Sequence, residues 1–191
     1  MRTLRITASL LAVALMLPLR AEANADDSWL DAPIMNWNTS GMAVPVPEQG
    51  QLIQSDARCP TRPGETTEDS VLSAAGWQLY GAYQAGWGVR VIWAKSGTDG
   101  MCRPAGYQGF VFVDGALAGT IAPAPMVARF DGAAQDAQLI SADNVSARFL
   151  RYATSDPLCC PSRPQASVQY RIDRAPAGPV LVPTNINQPQ S

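Results

Sequence analysis

Four cysteines constrain this chain more than any other feature. Cys102 and Cys159 each close the same kind of phrase, Asp99-Gly100-Met101-Cys102 and Asp156-Pro157-Leu158-Cys159, between two strand-like segments. Cys160 follows at once. Cys59-Pro60-Thr61-Arg62-Pro63 is echoed by Cys160-Pro161-Ser162-Arg163-Pro164. The pattern predicts an exported β-protein stapled by disulfides and loosely repeated in two halves.

Export is read from the first residues. Arg2 and Arg5 precede an apolar run from Ile6 to Leu19, and Ala21-Glu22-Ala23 offers small residues at a cleavage site, so 1–23 reads as a signal peptide. The run is short for a bilayer span. No cysteine stands at the cleavage point, so neither a lipid anchor nor a transmembrane segment is expected on the mature chain. Cleavage leaves about 170 residues, enough for one domain with its own core. The oxidising compartment beyond the membrane favours paired sulfurs.

Four sulfurs allow three pairings. Neighbours on an extended chain point to opposite sides, so Cys159 and Cys160 can reach separate partners. The favoured expectation bonds Cys59 and Cys102 each to one of the pair. A vicinal Cys159–Cys160 bond, with Cys59 bonded to Cys102, stays open.

Prolines 33, 45, 47, 60 and 63 mark residues 24–66 as an extended arm. Trp29, Ile34, Met35 and Trp37 are too apolar for a free tail, which predicts that part of the arm lies on the domain. Thr66 followed by Glu68, Asp69, Val71 and Leu72, with Gly76 beyond, predicts one short helix. From Trp77 the pattern is β. Strands are expected over 77–83, 89–93, 107–113 and 116–121, then over 137–141, 145–152, 166–172 and 180–182. Asp114-Gly115 is a hairpin turn, and Gln84 to Gly88 another. Phe110 to Val113 is apolar on both faces and belongs at the centre of a sheet. Residues 184–191 read as a disordered tail. The expected fold is mainly β, or α+β: an antiparallel small barrel or sandwich over residues 67–183, built from two related four-stranded meanders and one short helix.

The residue inventory removes most chemistry. The chain has no histidine, which excludes Ser-His-Asp and Cys-His catalysis and His-ligated zinc. Its 14 Lys+Arg against 16 Asp+Glu argue against nucleic acid as a partner. Asp99, Asp114 and Asp131 precede glycine and Asp156 precedes proline, as turn aspartates do. No catalytic residue, cofactor or metal ligand is assigned. Asp99 and Asp156 remain binding candidates for their matched places beside cysteines. Arg163 joins them from the arginine-rich C-terminal part, although the simpler account folds the acidic arm back onto those arginines. The aromatics Trp77, Tyr80, Tyr83, Trp87 and Trp93 fit a core better than a carbohydrate platform.

Tyr107 to Gly115, Gly119-Thr120-Ile121-Ala122-Pro123, Met126, Arg129, Asp131-Gly132, Arg151-Tyr152 and Asp156 to Arg163 resemble the bacterial LppP/LprE-type lipoproteins over about residues 68–183. The chain departs from that family in having no lipid-acceptor cysteine. The resemblance implies an extracytoplasmic protein and supplies no catalytic residues.

The expected role is a periplasmic or secreted, non-enzymatic envelope-associated protein whose partner is another envelope or extracellular protein or a small ligand. Two alternatives stand beside it. One is a proteinaceous inhibitor of an extracellular hydrolase. The other is a thiol redox or metal-handling protein, which requires reactive sulfurs.

Overall fold

The structure, a computed structural model, describes residues 28–47 and 58–188. The signal peptide, Asp26, Asp27, Glu48, Asp56 and the last three residues lie outside it. After a 3-10 turn at Trp29–Asp31 come helix α1 (Thr67–Ala74) and strands β1 (Gln78–Leu79), β2 (Gln84–Gly86), β3 (Val89–Thr98), β4 (Pro104–Val113) and β5 (Ala116–Thr120). Then follow α2 (Ala128–Asp131), β6 (Ala133–Ser141), β7 (Asn144–Arg151), β8 (Arg163–Ala175) and β9 (Gly178–Asn187).

The strands make two antiparallel sheets. In the first, β3 is flanked by β4 and, on its other edge, by β1 and β2 end to end; β5 pairs with β4. In the second, β6 to β9 run as a meander. The first sheet thus has five strands and the second four, where two four-stranded meanders were expected; the extra strand comes from the division of the first edge into β1 and β2.

One core lies between the sheets. Val89, Val91, Trp93, Tyr107 and Val111 face Ala147, Phe149, Val168, Tyr170 and Leu181. The alternation expected for β8 is observed, with Val168, Tyr170 and Ile172 buried between exposed Gln169 and Arg171. Phe110 to Val113 sit buried on an interior strand. They supply both faces because the first sheet has a second core behind it, where Leu72 of α1, Trp77, Ile92, Phe110 and Phe112 meet Met42 and Val44 of the arm.

Local chemistry explains the boundaries. Thr66 and Asp69 form a capping box at the N-terminus of α1. Asp114 and Gly115 both have positive φ, 49° and 83°, as a type I′ hairpin turn demands. The arm is tied down as expected: Leu30 is buried, and the Trp77 Nε1–H donates to Pro45 O (2.7 Å).

Other expectations are corrected. The turn expected over Gln84 to Gly88 is confined to Trp87 and Gly88, because Gln84–Gly86 pairs with β3 as β2. The predicted strand over 77–83 is broken. Leu79 pairs with Ala94 and Gln84 with Val91, so the edge carries more residues than its partner and the surplus around Gly81 (φ 65°) loops out. Residues 184–187 are strand where a tail was expected, and 189–191 lie outside the described residues. β9 runs on to Asn187, paired with Ser167, because Ile186 packs on the core and Gln188 donates to Leu30 O (2.5 Å). Finally, the favoured disulfide pairing is replaced by the other one. Cys59 bonds Cys102, and Cys159 bonds Cys160. The two cysteine loops belong to different sheets, and Cys59, on the arm, reaches only the first.

Candidate functional site

The two sheets meet along two seams, and the seams are unlike. Where β5 passes β9, the gap is filled by Asn38 of the arm. Its Nδ2 donates to Thr120 O (3.1 Å) and Leu181 O (2.9 Å), and its Oδ1 accepts from Thr120 N (2.8 Å). The Trp37 Nε1–H also reaches Thr120 O (3.0 Å). Tyr170 Oη donates to Ile121 O (2.6 Å) across the same seam. Gly119 allows the close fit, since a Cβ there would collide with the Asn38 carboxamide.

Along the other seam, where β2 faces β6, hydrogen bonds join the sheets at two points. At one, Gln84 Oε1 accepts from Leu139 N (2.8 Å). At the other, the Tyr107 hydroxyl donates to Gly132 O and accepts from Ala134 N (3.1 Å). Between these points lies a cleft of about 280 Å3. The looped-out residues Tyr80 to Ala82 form one wall and Ala134 to Ala137 of β6 the other, with Trp93 and Val91 at its base. Two aromatics and small apolar side chains line it, and Gln84, Gln135 and Asp136 supply the polar groups. Few convergent polar groups on an apolar lining is the ordinary composition of a ligand site.

The charges around the cleft are occupied. Asp136 accepts from Arg148 Nε (2.8 Å) and Gln138 Nε2 (3.1 Å), and the Arg148 guanidinium holds its carboxyl below the usual value. Lys95, the sole lysine, is buried with its Nζ on Pro60 O (3.3 Å) and over the ring of Tyr80 (5.6 Å). Burial lowers its pKa and raises that of Tyr80 well above the ordinary value.

The sequence candidates lie elsewhere. Asp99 accepts from the backbone N–H of Met101 (2.9 Å) and Arg103 (3.0 Å) and from Arg103 Nε (2.6 Å). Asp156 accepts from Ala153 N (2.7 Å), Ser162 N (2.8 Å) and Ser162 Oγ (2.8 Å). The Ala153 and Ser162 bonds lower the Asp156 carboxyl. Both aspartates fold their own loops. Arg163 lies 3.9 Å from Asp31, which is bound by the buried Arg151. Of the acidic residues expected on these arginines, Asp31 is the one that meets them, whereas Asp69 pairs with Arg62 and Glu68 with Arg90. Asp156 and Arg163 stand at one loop, linked through Ser162, whereas Asp99 lies in the loop of the other sheet.

Asp131 is the carboxylate that burial raises; it accepts from Val127 N (2.8 Å). Of the aromatics, Trp77 and Trp93 are core as expected. Trp87 is not: it sits 63% exposed at φ 50° in the β2–β3 turn, beside Glu68, Arg90 and Asp114. Sequence reasoning missed Asn38, Gln84 and the cleft. The local signal was Gly81, a glycine inside the alternation from Trp77 to Tyr83.

The family model described as LppP/LprE lipoprotein matches residues 86–175, just under half of the chain. The match is narrower than the 68–183 read from the sequence. It runs from the β2–β3 turn to the end of β8 and so holds the centres of both sheets, one wall of the cleft and the Asp156 loop. The family implies an exported protein of the cell envelope. No helix among the described residues is long and apolar enough to cross a membrane. Neither the curated proteins nor the solved structures supply a match.

Proposed function

We propose that this chain, whose centre is of the LppP/LprE lipoprotein kind, is an envelope protein that binds a small ligand without transforming it. The unequal seams carry the reading. One seam is sealed by a buried carboxamide, whereas the other is pinned at its two ends and left open between. A bulged edge strand builds one wall of the opening, and bulges recur where a sheet serves a site. The lining suits a ligand with one apolar face, stacked near Tyr80 and Trp93, and hydrogen-bonding groups directed at Gln84 and Gln135.

Binding is favoured over catalysis because the carboxylates near the cleft and in the candidate loops already serve arginines or backbone N–H groups. The sequence contains no histidine to act as a base. The inhibitor alternative has no comparable feature behind it.

Native mass spectrometry of the protein purified from its own cell envelope tests the reading. It is paired with thermal shift against short peptides, amino sugars and nucleosides. A ligand at a hundred times its Kd stabilises by about 2.7 kcal/mol, which raises Tm by roughly 5–10 °C for a domain of this size. Ala82→Trp fills the cleft from an exposed position and is expected to abolish both the bound mass and the shift. A wild-type protein with neither signal, or an A82W variant that keeps both, overturns the proposal. A stoichiometric hydrolase complex in their place would favour the inhibitor.

A further inference from the structure

We infer that the Cys159–Cys160 disulfide is a thiol-exchange site, a two-electron acceptor for an exported protein dithiol. The inference is independent of the cleft.

The two disulfides differ in what they constrain. Cys59–Cys102 joins residues 43 apart and fixes the arm to the first sheet. Cys159–Cys160 joins neighbours. It closes no loop and fastens no second segment, so the usual gain from cross-linking is nearly absent. The surroundings differ as well. Cys59 is buried, whereas Cys159 and Cys160 are both exposed, beside exposed Pro157 and Leu158.

The loop holds its shape by other means. Asp156 gathers the N–H groups of Ala153 and Ser162. Arg129 donates to Asp156 O (3.0 Å) and Thr154 O (2.9 Å), and Tyr152 Oη to Leu158 O (3.1 Å). The N–H of Cys160 closes a turn on Pro157 O (3.0 Å). None of these bonds requires the sulfurs to be joined. Arg129 holds this loop through the two carbonyls, so its shape does not rest on the sulfur–sulfur bond.

A thiolate of the partner attacks one sulfur of the pair, forming a mixed disulfide and releasing the other sulfur as a thiolate. The partner's second thiol attacks the mixed disulfide and leaves with its own disulfide. Cys159 and Cys160 become thiols, having gained two electrons and two protons.

The test uses the mature oxidised protein, dithiothreitol as dithiol probe, and alkylation with peptide mass spectrometry. The 159–160 pair is expected to open about tenfold or more faster than Cys59–Cys102, with near-UV circular dichroism and Tm retained. An exported Cys-X-X-Cys oxidoreductase lacking its resolving cysteine is expected to form a mixed disulfide on Cys159 or Cys160. The inference is overturned if the native protein shows another pairing, or if Cys59–Cys102 opens first. It also fails if reduction of the vicinal bond unfolds the protein, or if the trapped oxidoreductase is found on neither Cys159 nor Cys160. A Cys59→Ser/Cys102→Ser variant that refused to fold would leave these measurements intact, because all of them use the wild-type chain.

Discussion

The loop between β3 and β4 and the loop between β7 and β8 occupy the same place in two meanders of the same order. Each is folded by an aspartate that accepts backbone N–H groups, Asp99 in one and Asp156 in the other. Each carries a cysteine at the matching position. There the likeness stops. In the first, Cys102 reaches out of the loop to the arm; in the second, Cys159 turns to its neighbour. The first sheet is covered on both faces, by the second sheet on one side and by α1 and the arm on the other. The second sheet shows its outer face, with Arg148, Gln169 and Arg171, to water. The same loop design thus serves a covalent anchor where there is something to anchor, and stands free where there is not.

Removing the anchor is the largest perturbation that sharpens this contrast. A bridge closing a loop of this length stabilises by about 4 kcal/mol in the chain-entropy account. Cys59→Ser/Cys102→Ser is therefore expected to lower unfolding free energy by that order in urea denaturation. Cys159→Ser/Cys160→Ser, tested in parallel, is expected to change it by less than about 0.5 kcal/mol. Equal losses would mean that the two bridges do the same work.

The next perturbation acts between the halves. Asn38→Ala leaves Thr120 N–H and Leu181 C=O without their partner in a buried seam. Each orphaned group costs roughly 1–3 kcal/mol, so a loss of about 3 kcal/mol is expected. Hydrogen exchange should accelerate first at Thr120 and along β9. A loss under about 1 kcal/mol would show that the arm rests on the seam without sealing it.

Much of the scaffold was legible because its causes are local. Thr66 with Asp69 announces a helix start, Asp114-Gly115 a hairpin, and the alternation through Val168, Tyr170 and Ile172 a strand with one wet face. The run from Phe110 to Val113 correctly asked for burial on both sides. What could not be read depends on residues far apart. The strand character of Thr184 to Asn187 comes from pairing with β8 and from one apolar residue, Ile186. The disulfide pairing turns on where the arm lies. The cleft exists because one edge strand carries surplus residues relative to β3, and a sequence does not display the register of its partner. Asp99 and Asp156 were noticed for a real regularity, but that regularity is how a loop is folded.

The smallest of the three effects probes the arm's attachment to the first half without touching a sulfur. Burial alone would raise the Asp69 carboxyl. The Arg62 guanidinium, on Oδ2 at 2.8 Å and Oδ1 at 2.5 Å, and the N–H groups of Glu65 and Thr66 outweigh it and bring the group to about 2, from an ordinary 3.8. A carboxyl depressed in the folded state stabilises above its unfolded pKa, and that contribution is lost as pH falls toward the folded value. The side chain is fully buried, so solvent screening is slight, and the shift corresponds to about 2 kcal/mol. Asp69→Asn should therefore be less stable than wild type by about that amount at pH 6, and the gap should close between pH 4 and pH 2. Asp99 makes similar bonds at a half-exposed site, and Asp99→Asn should show a much smaller gap over the same range. If the two variants behaved alike, burial by helix and arm would not be what distinguishes the first half from the second.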